Sequence, residues 1–462
     1  MSPPLFVVGH AAHAQWSEAL EAAAAQIERQ LAERAAAHGD GLRGPGTPTL
    51  GWVYITEPYA TAAQALLAAL RQRWPGVAFV GTVGVGVAAT GVEHFDEPAL
   101  VVMLASLPRE QFQVFSGTSG LRGAQPTAKG SARRAITALV HADPATPELP
   151  ELLSELADRT ESGYLFGGVS ASRQKHVQFA EGVFEGGLSG VAFGPGVRVV
   201  SRVTQGCTPL GASRRVTACD GTVVLALDGA PALPQLLADL KLVGDGGVAA
   251  ALEPRALREA LPRLRRTLVG LTEAAPQRAG ATLLPRAARA SIGIAVPGDA
   301  SKPRRGGNFG EEVRVRHLIG LDPARQGFAI AEGVHTGMGL TFCERDAAAA
   351  RRDLVRMCTE IRDEVESRAE AARPPERAAA PPAVAAHAGA AAEPAAAPAM
   401  LGAIYVDCSG RGGPHFGGPS AELQIVRHAL GDVPLAGFFA AGEIAHRQLY
   451  GYTGVLTVFC AA

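Results

Sequence analysis

The stretch LGWVYIT at residues 50–56, followed by TAAQALLAALRQRW at residues 61–74 and VAFVG at residues 77–81, decides the class of fold. The first stretch is an unbroken apolar and β-branched run, which predicts a buried strand. The apolar residues of the second stretch, spaced to share one face of a helix, are Leu66, Leu67, Leu70 and Trp74. The third stretch is again strand-like, so the chain alternates strand, helix and strand.

The same unit recurs twice later in the chain. The second copy has AITALVH at residues 135–141, a helix with leucines at helical spacing and YLFGGVSAS at residues 164–172. The third copy has LGAIYVD at residues 401–407, another amphipathic helix and PLAGFFAAGEI at residues 434–444. Matching glycines follow in the three copies: Gly81, Gly167 and Gly437. This repetition predicts an α/β (mixed α+β) fold of two related domains, with mixed β-sheets flanked by helices and a recurring strand–helix–strand–hairpin unit.

Composition excludes several classes of protein. The 462 residues suffice for two or three domains, and a net charge of -1 gives no electrostatic reason to expect nucleic acid or an anionic membrane as a partner. The six cysteines lack the spacing of a disulfide framework or a zinc site. The N-terminus lacks a basic region before its short apolar run, and no run has the length of a membrane span. We therefore expect a cytoplasmic protein with no metal and no cofactor.

Three segments carry a resemblance to a known family. GCTPLG at residues 206–211, followed by DGAPALPQLL at residues 228–237, is similar to the junction of the FIST N and FIST C domains. The segment from HLIGLD to ARRDL, residues 317–354, resembles the central FIST C block. The end of the chain is the most specific match, because YVDCSGRG, PLAGFFAAGEI and LYGYTGVLTVF follow one another in the family's order.

The resemblance implies a FIST N-like domain at residues 1–228 and a FIST C-like domain at residues 229–462. It also implies a sensory module of signal transduction whose ligand is a small molecule such as an amino acid. The chain shows no kinase, cyclase or methyl-accepting segment, so a signal must pass through an unidentified partner protein. Residues 366–399 are almost entirely Ala, Pro, Glu and Arg, which predicts a disordered linker that interrupts the second domain.

The loop Cys408-Ser409-Gly410-Arg411-Gly412 is the first candidate for a binding site. Its glycines allow a tight turn that points backbone amides at a ligand, as in an anion-binding nest. Arg411 suits a carboxylate, as found in an amino acid or an organic acid. The alternative is a structural turn in which Arg411 pairs with Glu443. The sequence leaves both interpretations open.

Four further residues complete the candidate ligand site. Gly442 and Glu443 follow the next strand, and Glu443 suits either a ligand ammonium or an internal ion pair. Tyr452 and Thr453 begin the last strand, where they form the rim of a pocket or act as ordinary strand residues.

Catalysis is a weaker expectation. Cys408 and His415 suggest a thiol nucleophile with a base, but a buried, inert cysteine is the better interpretation because no orienting third group is evident. The glycine-rich residues 81–91 lack the lysine and the following helix of a phosphate-binding loop. We therefore expect a small-molecule sensor that is not an enzyme. The alternatives are a ligand-free interaction scaffold and a cysteine-dependent hydrolase or transferase.

Overall fold

The structure is a computed structural model with a mixed α/β architecture. It describes residues 5–37, 46–117, 125–126, 132–133, 135–243, 247–251, 253–272, 305–306, 310–311, 314–372 and 400–461. Residues 373–399, which hold most of the predicted linker, lie outside the described residues.

Three six-stranded sheets share one strand order. Sheet A consists of β1 (Phe6–Ala12), β6 (Ala99–Ala105), β2 (Leu50–Thr56), β3 (Ala78–Gly84), β12 (Val177–Ala180) and β13 (Val183–Glu185). Sheet B consists of β7 (Phe112–Phe115), β14 (Leu188–Phe193), β10 (Thr137–Ala142), β11 (Tyr164–Val169), β28 (Gly442–His446) and β29 (Gln448–Tyr450). Sheet C consists of β15 (Arg198–Gln205), β30 (Thr453–Cys460), β26 (Met400–Cys408), β27 (Leu435–Ala440), β4 (Gly86–Ala89) and β5 (Val92–Phe95).

Each sheet has a central parallel pair, formed by the two strands that begin a copy of the sequence unit: β2 with β3, β10 with β11, and β26 with β27. The strand that follows each pair leaves for another sheet. β4 joins β27 in sheet C, β12 joins β3 in sheet A, and β28 joins β11 in sheet B. The three sheets are therefore interlocked, and the glycine-rich residues 81–86 lie along one crossing.

The matching glycines explain how the parallel pairs come so close. A Cβ at each position would lie within 2.0 Å of a carbonyl oxygen on the facing strand: 1.7 Å at Gly81, 1.9 Å at Gly167 and 1.8 Å at Gly437. No side chain fits at that distance, so only glycine lets the strands pair there.

A fourth sheet, sheet D, closes on itself, because β20 pairs with both β23 and β25. Its strands are β16 (Cys207–Pro209), β25 (Gly339–Arg345), β17 (Arg214–Asp220), β18 (Val223–Leu227), β24 (Gly327–Ile330), β23 (Arg314–Asp322) and β20 (Thr267–Thr272), with β19 (Ala230–Pro231) on β18. The short ribbons are β8 (Gln125–Pro126) with β9 (Ala132–Arg133) and β21 (Arg305–Gly306) with β22 (Gly310–Glu311).

Helices cover the outer faces of the sheets. They are α1 (Trp16–Ala37), α2 (Ala63–Arg73), α3 (Leu149–Asp158), α4 (Ala232–Asp239), α5 (Gly247–Ala251), α6 (Pro254–Arg266), α7 (Ala347–Ala372) and α8 (Ala421–Leu430), with 3-10 turns at Glu57–Ala62, Arg109–Gln111 and Gly413–Phe416. α1 and α2 pack on sheet A, α3 on sheet B, and α7 with α8 on sheet C. The inner faces of sheets A, B and C meet in one apolar core, whose buried aromatic residues include Phe6, Trp52, Tyr54, Phe166, Phe193, Phe438 and Phe459.

The predicted domain boundary at residue 228 lies between β18 and β19, which both belong to sheet D. In sheets B and C, the last strands of the chain lie beside strands from its first half. Helix α7 also continues to Ala372, so the predicted linker begins later than residue 366; charged pairs such as Arg368 with Glu364, one turn apart, support this last part of the helix.

Candidate functional site

The predicted site lies where the parallel strands β26 and β27 of sheet C end. Cys408 is the last residue of β26, and Gly442 begins β28 immediately beyond β27. Sheet D borders the same place, because Cys408 and Tyr452 share a small apolar cluster with Cys207 and Cys343. In open α/β sheets, ligands commonly bind at the carboxyl ends of parallel strands. The usual place is where the chain leaves two neighbouring strands in different directions.

Arg411 is completely buried and held by two carboxylates. Its Nε donates to Asp407 Oδ1 at 2.8 Å, and its Nη2 donates to Glu422 Oε1. The guanidinium carbon lies 5.1 Å from the ring centre of Phe416. The ion-pair partners of Arg411 are thus Asp407 and Glu422 rather than Glu443, which corrects the pairing considered from sequence.

Glu443 is also completely buried, and a different set of donors holds it. Its Oε2 accepts hydrogen bonds from the backbone nitrogen of Thr453 at 3.0 Å and from Thr453 Oγ1 at 2.8 Å. Burial raises the pKa of Glu443 to about 7, although the bonds from Thr453 and the positive charge of Arg411 act in the opposite direction. Burial, followed by the charge of Glu422, also raises the pKa of Asp407 well above its usual range.

These four side chains form what we call the charge cluster: Asp407, Arg411, Glu422 and Glu443. When every carboxyl group is ionised, each keeps one polar atom without a hydrogen-bond partner within the described part of the chain, namely Asp407 Oδ2, Arg411 Nη1, Glu422 Oε2 and Glu443 Oε1. A proton between Asp407 and Glu422 joins those two carboxyl groups by a hydrogen bond, and the Cys408 thiol hydrogen-bonds Glu443. One guanidinium faces three carboxyl groups, so the cluster carries -2 when all of them are ionised. Buried polar atoms in native proteins are normally paired, so these atoms need an explanation.

Tyr452 directly precedes Thr453, the residue that donates to Glu443. It is 1% exposed, and its backbone φ of 62° is in the left-handed region, which is unfavourable for a bulky residue. The Arg345 guanidinium lies 4.2 Å from the Tyr452 ring centre, and the Tyr452 hydroxyl lies 3.2 Å from the ring nitrogens of His415. Tyr452 is therefore held on one face by Arg345 and at its tip by His415.

Two glycines, Gly410 and Gly206, lie close to the ring of Tyr452. A Cβ on Gly410 would lie 3.2 Å from the Tyr452 ring, and a Cβ on Gly206 would lie 3.3 Å from the ring and 3.2 Å from Arg411 Nη1. The loop that contains Gly206 thus reaches the site, although its sequence reads as a connection between strands.

The backbone of the 408–412 loop is used internally. The Ser409 amide donates to Ala440 at 2.9 Å, and the Arg411 amide donates to Cys408 at 2.8 Å. Gly412 is tight against Phe95, since a Cβ there would lie 2.2 Å from that ring. These two amides do not form the open anion-binding nest expected from sequence, because both already donate hydrogen bonds to backbone carbonyl oxygens.

The thiol arrangement considered from sequence is also unfavourable. Burial, reinforced by the charge of Glu443, raises the pKa of Cys408, which disfavours the thiolate that a nucleophile needs. His415 directs its ring at Tyr452, and burial and the charge of Arg411 lower its pKa. No group of three or more His, Cys, Asp or Glu side chains among the described residues is arranged to hold a metal ion.

Asp407, Glu422 and Arg345 also lie at the site but were not predicted from the sequence. Asp407 precedes the quoted loop by one residue, and its acidic side chain at the end of an apolar strand was the available signal. Glu422 is on α8 and Arg345 is on β25, so only the packing of these elements against sheet C brings them to the site.

The corresponding end of sheet A holds an open cavity of about 300 Å³. Its lining residues come from the ends of several strands: Thr56, Glu57, Pro58, Val85, Asp96, Glu97, Arg173 and Gln174. Beside it, Glu97 Oε1 is 2.8 Å from His94 Nδ1, and His94 Nε2 is 2.9 Å from His10 Nδ1. Burial, followed by the charge of His94, lowers the pKa of His10 to about 4.

Comparison with known proteins identifies the family. The FIST N domain model matches residues 49–230, and the FIST C domain model matches residues 260–446. The chain therefore belongs to the FIST family, whose domains are associated with sensory signal transduction. No helix in the described ranges is long and apolar enough to cross a membrane.

Similar full-length proteins occur in mycobacteria. An uncharacterized protein of Mycobacterium tuberculosis is 30% identical over 441 residues, which cover 93% of this chain and 96% of the relative. An uncharacterized protein of Mycobacterium bovis is 31% identical over 444 residues, covering 93% of this chain and 95% of the relative. The similarity spans both FIST domains in each case.

Proposed function

We propose that this chain is a cytoplasmic sensor that binds a small polar ligand at the charge cluster and signals through a partner protein, without catalysing a reaction. The unmet hydrogen-bonding capacity of the charge cluster carries this proposal. An unsatisfied buried polar group costs about 1–3 kcal/mol, and Arg411 Nη1 is such a group within the described residues, whereas Asp407 and Glu422 share a hydrogen bond and Glu443 accepts one from Cys408. A ligand that supplies the missing partner of Arg411 offsets that cost.

The position of the cluster suits a sensor. Arg345 belongs to sheet D and Tyr452 leads into sheet C, so the contact between their side chains joins the two sheets across the site. A ligand that displaces Tyr452 breaks this contact and changes how sheet D packs against sheet C. The partner protein reads that change, because ligands shift an equilibrium only through contacts that differ between two states.

The direct test is thermal unfolding of the purified chain with a panel of amino acids, organic acids and nucleotides. A ligand at about 100 times its dissociation constant stabilises the native state by about 2.7 kcal/mol, and we expect a hit to raise Tm. The variant Arg345→Met removes the contact with Tyr452 and should alter the affinity of the hit. Arg255→Met is the matched control, because Arg255 is 87% exposed on α6.

Two results would contradict the proposal. One is a panel without any shift in Tm. The other is a hit whose affinity is the same in the wild type and Arg345→Met, which would place the binding site elsewhere.

A further inference from the structure

Helix α3 carries a row of acidic side chains on its exposed face, which we call the acidic stripe: Glu148, Glu151 and Glu155. Glu148 directly precedes the helix, and the other two follow at intervals of three and four residues, so all three lie on one face. All three are exposed, whereas the buried leucines of the opposite face pack on sheet B. Asp158 extends the same face but pairs with Arg447. Among the described residues, the acidic stripe itself has no ion-pair partner, so its charges face solvent unpaired.

Helix α6 carries a matching row of cations, the basic stripe: Arg258, Arg265 and Arg266. Arg258 and Arg265 are seven residues apart, about two helical turns, and therefore share one face, with Arg266 at its side. All three are exposed. Within the described ranges, Arg258 and Arg265 form no ion pair, and Arg266 has only a loose contact with Glu344, 3.5 Å from Nη2 to Oε1. The basic stripe therefore also lacks close counter-charges.

Neither stripe has the composition of an ordinary solvated helix face. There, charges of opposite sign usually stand one turn apart, as Arg255 does with Glu259 on α6 itself, at 3.1 Å. In the acidic stripe, like charges stand at that spacing instead, which is unfavourable in an isolated helix. Beside the basic stripe, Leu261 is 42% exposed, and an apolar side chain within a polar rim is the usual anatomy of a protein–protein contact. Both stripes therefore suit a contact better than they suit solvent.

The two stripes fit one another in charge and in length. Each has three charges, and at about 1.5 Å per residue the acidic stripe spans about 10 Å of helix and the basic stripe about 12 Å. They do not meet within one chain, because α3 packs on sheet B and α6 packs against sheet D, and no ion pair joins the two helices in the part of the chain that the structure describes. Each stripe is thus available to the complementary stripe of another molecule.

A second copy of the chain satisfies both stripes, which other charged partners do not. Nucleic acid or an anionic membrane would attract the basic stripe but repel the acidic one. A membrane also requires an apolar helix face that enters the lipid, and that face of α6 is already buried against sheet D, with Ala260 8% and Leu264 5% exposed. The combination of the two stripes therefore favours self-association.

We propose that the chain forms a two-fold homodimer in which the basic stripe of one copy binds the acidic stripe of the other. Closed two-fold dimers are the commonest soluble homo-oligomers, and the symmetry makes the same contact twice. Contacts between exposed charges supply specificity and speed of association more than affinity, and salt screens them. The dimer is therefore salt-sensitive, and it forms independently of the ligand of the proposed sensor.

The experiment reverses the charge of each stripe in turn. One full-length variant combines Glu151→Arg with Glu155→Arg, and the other combines Arg258→Glu with Arg265→Glu. Sedimentation velocity should show a wild-type dimer at about 0.05 M salt that dissociates at about 0.5 M, where the screening length has fallen from about 14 Å to about 4 Å. Each variant alone brings like charges together, so we expect its dimer Kd to rise about tenfold or more. An equimolar mixture of the two variants should dimerise again, because both of its contacts then join opposite charges.

The control combines Glu18→Arg with Glu33→Arg, two exposed positions on α1, and changes the net charge as much as the reversed acidic stripe does. This control should dimerise like the wild type. A wild-type chain that is monomeric at low salt and high concentration overturns the proposal. So does a dimer that survives reversal of either stripe, or a mixture of the two variants that stays monomeric while each variant keeps the wild-type Tm. The salt dependence is measured on the wild-type chain, so it does not depend on the folding of a variant.

Discussion

The carboxyl ends of sheets A and C occupy the same position in the same strand order, yet they differ in chemistry. At sheet A, the charged groups surround an open cavity, and the ion pair between Arg173 and Asp96 is 72% and 64% exposed. At sheet C, the corresponding space is closed, and Arg411 with Asp407 is 0% and 1% exposed. The shared strand order thus fixes where the strand ends are, while side-chain burial decides whether their charges are hydrated or must be balanced within the protein.

The largest expected difference is in the two arginines. Arg411→Met leaves the buried carboxyl groups of Asp407 and Glu422 without their cation and should lower the free energy of unfolding by about 3–5 kcal/mol. Arg173→Met breaks an exposed pair and should cost at most about 1 kcal/mol. Urea unfolding of both variants measures the difference. Equal losses would mean that the charge cluster is far better hydrated than its burial indicates.

The second difference is the response of Glu443 to pH. Its pKa of about 7 in the folded chain exceeds the unfolded value of 4.5, so the folded state holds the proton more tightly. Stability from this group is therefore complete below about pH 4.5 and is lost as pH rises to about 7, by roughly 3 kcal/mol. Urea unfolding between those values should show that Glu443→Gln gains stability relative to the wild type as pH rises. A constant difference would contradict the raised pKa.

The smallest expected effect is at sheet A, and it has the opposite sign. The pKa of His10 is lowered from 6.5 to about 4, so the unfolded chain binds the proton more tightly. Stability from this group is present above about pH 6.5 and is lost as pH falls towards 4, by roughly 1–2 kcal/mol after allowance for partial solvation. His10→Gln should remove this loss of unfolding free energy between pH 6.5 and 4. His428→Gln, at an exposed position on α8, serves as the control. If His10→Gln loses as much stability as the wild type when the pH falls from 6.5 to 4, His10 is not the cause of that loss.

Much of the fold was predictable because it depends on local pattern. The apolar runs and the helical spacing of the leucines predicted β2, α2 and β3, and the corresponding elements β10, α3, β11 and β26, α8, β27 formed at the expected places. The exchange of β4, β12 and β28 between sheets was not predictable, because the residue pattern of a strand predicts which face is buried but not which strand lies beside it. Only the close packing of the three copies selects the partner.

Some features of the candidate site were likewise predictable from sequence, and others were not. Sequence alone determined the family, the three parallel strand pairs and the loop that carries Cys408 and Arg411, because these depend on residue order and on glycines that no other residue can replace. Tertiary structure alone decided that Arg411 pairs with Asp407 and Glu422 and that Tyr452 packs against Arg345 and His415. The physical reason is that an ion pair depends on distance and dehydration, and both are set by elements that are remote in sequence and meet only when sheets C and D pack together.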